Sequence, residues 1–175
     1  IIARSLVDDS SKELAEVPSA AHAMSLSPNG RWVVAGGGLV LGSEPDGYLV
    51  VSNRDTGMNE TFPITNAAVT DIEVAGGDTA RVAAFGQPGS REKWSITSRA
   101  VENRVMGRHF FQLAVSKTKG LVAVGIAGGY VAGQVWLYDL ETLQRVGTLP
   151  STGGNVRALE FLSGGRTLAV ADGSS

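Results

Sequence analysis

A chain of 175 residues is long enough for one domain with a real core or for several small repeated units. Its 18% of charged residues and formal net charge of −2 provide no basic field, which argues against nucleic-acid and anionic-membrane partners. The absence of cysteine removes disulfides, thiolate metal sites and thiol nucleophiles together.

In chain order, "IIARSLVDDSSKELAEVP" opens with two short strands around an Asp8-Asp9 turn. "AMSLSPNGRWVVAGG" follows: an alternating strand, a turn containing Gly30, and a strand rich in Val and Ala. The same strand–turn–strand pattern returns in "DIEVAGGDTARVAAFG", "QLAVSKTKGLVAVGIAGG" and "ALEFLSGGRTLAVADG". Two more strands follow each of the first three, reading "YLVVSNRDTG…ETFPIT", "KWSITSRAVENRVMG" and "VWLYDLETLQRVGTLP". The turn glycines Gly30, Gly77, Gly120 and Gly165 are 47, 43 and 45 residues apart. A repeat of roughly 40–45 residues is the period of a four-stranded propeller blade. The 23 glycines, many in pairs between short apolar runs, suit tight hairpins. No apolar stripe at i, i+3, i+4 runs through the chain, so about sixteen short strands and essentially no helix are expected. No apolar run approaches the ~20 residues of a spanning helix, and no signal-peptide pattern is visible at the start.

Several of these stretches resemble the WD40 repeat. "VWLYDLETLQRVGTLP" is similar to that family's "VWLWDLxTGxxLxxL" ending, with Tyr138-Asp139 where the family has Trp-Asp. "LSPNGRWVVAGG" is similar to "FSPDGxxLAxGS", and "DDSSKELAEVP" to "xATGKELxxL". Asn53, Thr97 and Val7 fill the Asp139 position elsewhere, so the family's hydrogen-bonded Asp–His–Ser/Thr–Trp tetrad carries over to no unit. The resemblance covers the whole chain. It implies an all-β fold, a β-propeller of four-stranded antiparallel blades, with units 19–65, 66–107, 108–150, and 151–175 completed by 1–18. One blade is then split between the two ends, and Thr167–Ala171 is expected to pair with Ile2–Val7. That pairing either closes a four-bladed ring within the chain or joins the chain to further blades, such as a second copy of four. The larger ring is favoured, because WD40-type wedges usually need more than four blades to close.

Few motifs carry chemistry. "VAVGIAGG" has the glycines of a dinucleotide turn, but β-branched and aromatic residues follow where a helix is needed, so a hairpin is expected. The two histidines, His22 and His109, are far apart and lack a carboxylate at ligand spacing, so neither a zinc site nor a Ser-His-Asp arrangement is signalled. "SKTK" and "RDTG" are turn chemistry, and Trp94 and Trp136 are expected in blade cores. Three long connections, "GGGLVLGSEPDG" (36–47), "GQPGSREK" (86–93) and "GIAGGYVAG" (125–133), would share one rim of a propeller. Loops held by a rigid scaffold are where recognition residues gather, and within these Arg91, Glu92, Lys93 and Tyr130 have interface character.

A non-catalytic scaffold that presents this rim to a protein partner is therefore expected, with no catalytic, cofactor or metal residue assigned. The alternative is a propeller enzyme, hydrolase- or lactonase-like or cofactor-binding, with a site in the central channel. Its polar groups would come from the first strand of each unit: Ser25, Asp71, Glu73, Gln112 and Glu160. Asp71, Glu73 and Glu160 are candidates to gather there, some of them turned away because Asp71 and Glu73 alternate with apolar residues.

Overall fold

The computed structural model describes residues 1–4, 6–38, 46–65, 67–76, 79–86, 89–95, 100–107, 110–126, 133–150 and 153–173, with side chains described outside 4, 46, 65, 67 and 75–111. Among them are sixteen strands and no α-helix, and no helix long and apolar enough to cross a membrane.

Five antiparallel sheets follow one another along the chain. Strands β1 (Ile2–Arg4) and β2 (Ser11–Glu13) form a short hairpin. The first four-stranded sheet joins β3 (Ala21–Leu26), β4 (Trp32–Gly38), β5 (Asp46–Asn53) and β6 (Asn59–Thr65) in chain order. The second joins β7 (Ala67–Gly76), β8 (Thr79–Gly86), β9 (Gly89–Ser95) and β10 (Ala100–Gly107). The third joins β11 (Phe110–Ser116), β12 (Leu121–Ile126), β13 (Val135–Asp139) and β14 (Arg145–Leu149). Strands β15 (Asn155–Leu162) and β16 (Thr167–Gly173) form a final two-stranded sheet.

Local chemistry explains the hairpins. Gly30, Gly120, Gly164 and Gly165 all have φ between +62° and +83°, a region where a Cβ costs about 1–2 kcal/mol. The turns between the third and fourth strands are closed by side chains. Asn53 Oδ1 accepts the N–H groups of Asp55 (2.9 Å) and Thr56 (3.1 Å). Asp139 Oδ1 accepts those of Glu141 (3.0 Å) and Thr142 (2.8 Å) in the same way. Asn53 thus does in the first sheet what Asp139 does in the third. Pro63 lies in β6, at the edge of its sheet, where a missing N–H leaves no ladder bond unmade.

The sheets pack face to face in sequence. β7 lies against β3 and β4, β11 against β7 and β8, and β15 against β11 and β12. Val34, Leu49 and Val51 of the first sheet share a buried cluster with Val69, Ile72 and Val74 of the second. Ala114, Ala123 and Val135 of the third sheet share another with Val156 and Leu159. Glycine permits the close approach: a Cβ on Gly36 would sit 2.7 Å from Val69 Cγ1, and one on Gly125 would sit 2.5 Å from Val156 Cγ1. On the other face of the first sheet, the tail of the β1–β2 hairpin buries Ala15 against Tyr48 and Val50. Ser52 Oγ donates to Leu14 O there (3.2 Å).

One expectation about the ends changes. The first strand spans only Ile2–Arg4, and residues 6–8 form a turn rather than continuing it to Val7. Within the chain β1 pairs only with β2 and β16 only with β15, so among the described residues the ends do not join and the sheets do not close.

Candidate interaction surface

The expected recognition residues fall into two groups. Arg91, Glu92 and Lys93 are not in a loop. They lie in β9, an inner strand of its sheet, with Lys93 opposite Arg81 and Asn103 and Glu92 opposite Val82 and Arg104. Pairing on both sides overrides the loop-like composition of "SREK". Tyr130 lies outside the described residues, as do 39–45, 87–88 and 127–132, the centres of the three long connections. Gly36–Gly38, Asp46–Gly47 and Gly125–Ile126, expected as loop, belong to strands.

The first strands of successive sheets carry the polar residues expected to line a channel, and several stitch neighbouring sheets together. Val74 N–H donates to Ser25 Oγ across the first and second sheets (3.0 Å). Leu113 N–H donates to Asp71 Oδ2 across the second and third (2.7 Å), and Ile72 N–H donates to Asp71 Oδ1 (2.9 Å). Burial pushes the Asp71 carboxyl up to about 6 against the opposing pull of these two N–H groups. Glu73 is also raised, by burial first and then by the charges of Asp71 and Glu160, while Lys117 acts in the other direction. Asp71, Glu73 and Glu160 therefore form one electrostatic group. Asp71 and Glu73 lie two residues apart on one strand and so share a face of it. Among the described residues no group of three or more His, Cys, Asp or Glu could hold a metal ion. The His22 ring nitrogen Nε2 is taken by Gly38 O at 2.8 Å, and His109 lies outside the described residues. Trp136 packs partly buried against the core of the third sheet, as expected, with the Arg145 guanidinium 4.2 Å from its ring centroid.

The most distinctive surface was not signalled by composition. Between the β1–β2 hairpin and the outer face of β3 and β4 lie two apolar clefts of about 410 and 370 Å³. Ile1, Ile2, Met24, Leu26, Val33 and Ala35 line them. Met24 and Leu26, on the edge strand β3, are 63% and 52% exposed. A third hollow of about 500 Å³ beside the hairpin is polar, with Lys12, Arg54 and Asp55 in its wall; Asp55 is held by Arg31 at 2.9 Å.

No protein-family model and no curated protein sequence matches the chain.

Proposed function

We propose that the chain is a sector of a WD40-like β-propeller, a non-catalytic scaffold that presents its long inter-strand connections to a protein partner. The observation that carries this reading is the regular face-to-face packing of β7, β11 and β15, each against the sheet before it. In a propeller of this kind the ends of the second strands and the starts of the third share one rim, here Gly38 and Asp46, Gly86 and Gly89, and Ile126 and Val135, and that rim is the proposed recognition surface. Rigid sheets behind these connections supply the preorganisation that binding loops need.

A specific observation favours a second reading, an enzyme with its site along the inner strand edges. Asp71, raised to about 6, can carry a proton close to neutral pH, and perturbed carboxyls gather at catalytic sites. Against it, both Asp71 oxygens already accept backbone N–H groups, which is the role of a structural tie.

One experiment separates the two. A photo-crosslinking residue is placed at Tyr130 and, as a control, at Arg145, and each protein is irradiated in a native extract; esters and lactones are assayed in parallel. A discrete protein adduct from Tyr130 alone is expected, with no turnover. Turnover that disappears in Asp71→Asn, without any adduct, replaces the scaffold with the enzyme.

A further inference from the structure

We infer that His22 is a positioning residue of the proposed recognition rim: from a bulge in β3 its ring holds the carbonyl of Gly38, the last residue of β4, and so fixes the direction in which the chain leaves that strand. The inference rests on the rim reading above and goes further by naming what sets the geometry of the rim.

Register makes the four first-strand hairpins comparable residue by residue. Each carries a bulge at the same place: between Ala21 and Ala23, Val69 and Asp71, Phe110 and Gln112, and Val156 and Ala158. One residue is passed over in each, namely His22, Thr70, Phe111 and Arg157. In a regular strand that residue would turn its side chain to the face opposite its two neighbours. A bulge leaves it unpaired and re-aims it. Each bulge lies near the start of a first strand, across from the end of the second. The re-aimed residue therefore stands beside the rim.

In the first sheet its target is explicit. His22 Nε2 lies 2.8 Å from Gly38 O, and the ring nitrogen is the donor, because a carbonyl oxygen only accepts. Gly38 N–H in turn donates to Ala20 O (3.1 Å). Both backbone groups of Gly38 are thus held by residues 20–22. Gly38 has φ of +128°, a conformation that L side chains rarely adopt. One residue earlier, a Cβ on Gly37 would run into Ala20 O. The end of β4 therefore has to be glycine, and it has no side chain of its own to anchor it.

The fourth hairpin repeats the arrangement. Gly173 follows Asp172, which pairs with Val156, as Gly38 follows Gly37, which pairs with Ala21. A Cβ on Gly173 would sit 3.3 Å from Arg157 Nε. In both hairpins the bulge residue lies over the glycine that ends the second strand.

Gly38 is buried, so its carbonyl needs a partner, and His22 supplies one. With both groups held, the backbone leaves β4 in one direction. A glycine without such ties has more conformational freedom to lose than any other residue. Binding at the rim would then have to order it and would lose affinity by doing so, whereas the clasp orders it on folding.

The first test needs no variant. Long-range nitrogen–proton spectra of the parent are expected to show the neutral His22 ring with its proton on Nε2; a proton on Nδ1 alone overturns the inference. His22→Ala is expected to keep the circular dichroism of the parent and to speed amide exchange at Gly38 about tenfold. The amide of Ile126, which ends the second strand of the third sheet and donates to Gln134 O, should be unchanged. His22→Gln, whose side-chain amide can donate to the same carbonyl, should restore the parent rate at Gly38. Exchange there that ignores His22→Ala, or that His22→Gln does not restore, overturns the inference. The same variants separate it from the rim reading. A photo-crosslinking residue at Asp46, where β5 begins on the same rim, is irradiated in a native extract. Its adduct is expected to fall about tenfold in His22→Ala and to return in His22→Gln, while the adduct from Tyr130 stays the same. An Asp46 adduct indifferent to His22→Ala overturns the positioning role and leaves the rim standing. No adduct from Asp46 or Tyr130 in the parent overturns the rim reading and this role with it.

Discussion

Gly165 and Gly120 show how two glycines with the same backbone need can differ in consequence. Both have positive φ, +83° and +62°, but a Cβ on Gly120 meets nothing within 4 Å, whereas one on Gly165 runs into Ser116 Oγ of the neighbouring sheet. Gly120→Ala should cost only its backbone strain, about 1 kcal/mol. Gly165→Val adds a collision and should cost more than about 2 kcal/mol, a difference read from denaturant midpoints. Equal costs would mean that this turn does not touch the third sheet. Asp71 yields a second prediction at this scale. Its carboxyl lies at about 6 in the folded protein against an ordinary value of 3.8, so the native state holds the proton more tightly than the unfolded chain. Its contribution is full below pH ~4 and is lost as pH rises through about 6. Asp71→Asn should flatten that decline, gaining on the parent by on the order of 2–3 kcal/mol between pH 4 and 7.5. A pH–stability profile parallel to the parent's would sink the assignment. The turn glycines were legible in the sequence because positive φ is a local demand. That Asp71, Glu73 and Glu160 come near one another was expected from their places on first strands; the backbone N–H groups that hold Asp71 were not legible, since one of them, Leu113, comes from a separate sheet.

At the scale of elements, the hairpin repeat could be read from spacing alone, and the number of strands followed from it. The start of the third strand of the second sheet could not. "SREKWS" has the charges of a loop, yet β9 is paired on both sides from Ser90 to Ser95. What decides such a strand is its neighbours: the backbone of Glu92 is paired with Val82 on one side and Arg104 on the other, so the ladder holds the strand whatever its composition suggests. The consequence is testable by backbone rather than side chain. Glu92→Pro should cost about 1–3 kcal/mol by removing a ladder hydrogen bond inside a sheet. In a surface loop the same change would stay within about ±0.5 kcal/mol. The shared bulge was equally illegible, because His22, Thr70 and Arg157, the residues passed over by the pairing, have no chemistry in common.

For the whole molecule, the same logic makes the first eighteen residues structural rather than decorative. The hairpin and its tail hold Ile1 and Val17 against the cluster of Ala15, Tyr48 and Val50. Tyr48 Oη also donates to Ser19 O (3.0 Å). Deleting residues 1–18 uncovers Tyr48 and Val50 on the face where Met24 and Leu26 are already exposed. Uncovering two such side chains costs about 3–6 kcal/mol at roughly 1.5–3 kcal/mol each. That is a large part of the 5–15 kcal/mol typical of a domain. It also joins the exposed residues into one continuous apolar sheet face, the condition under which soluble proteins associate without specificity. The truncated chain is therefore expected to lose several kcal/mol in urea unfolding and to scatter light at concentrations where the parent does not. A truncated protein as stable and as soluble as the parent would show that this face needs no cover.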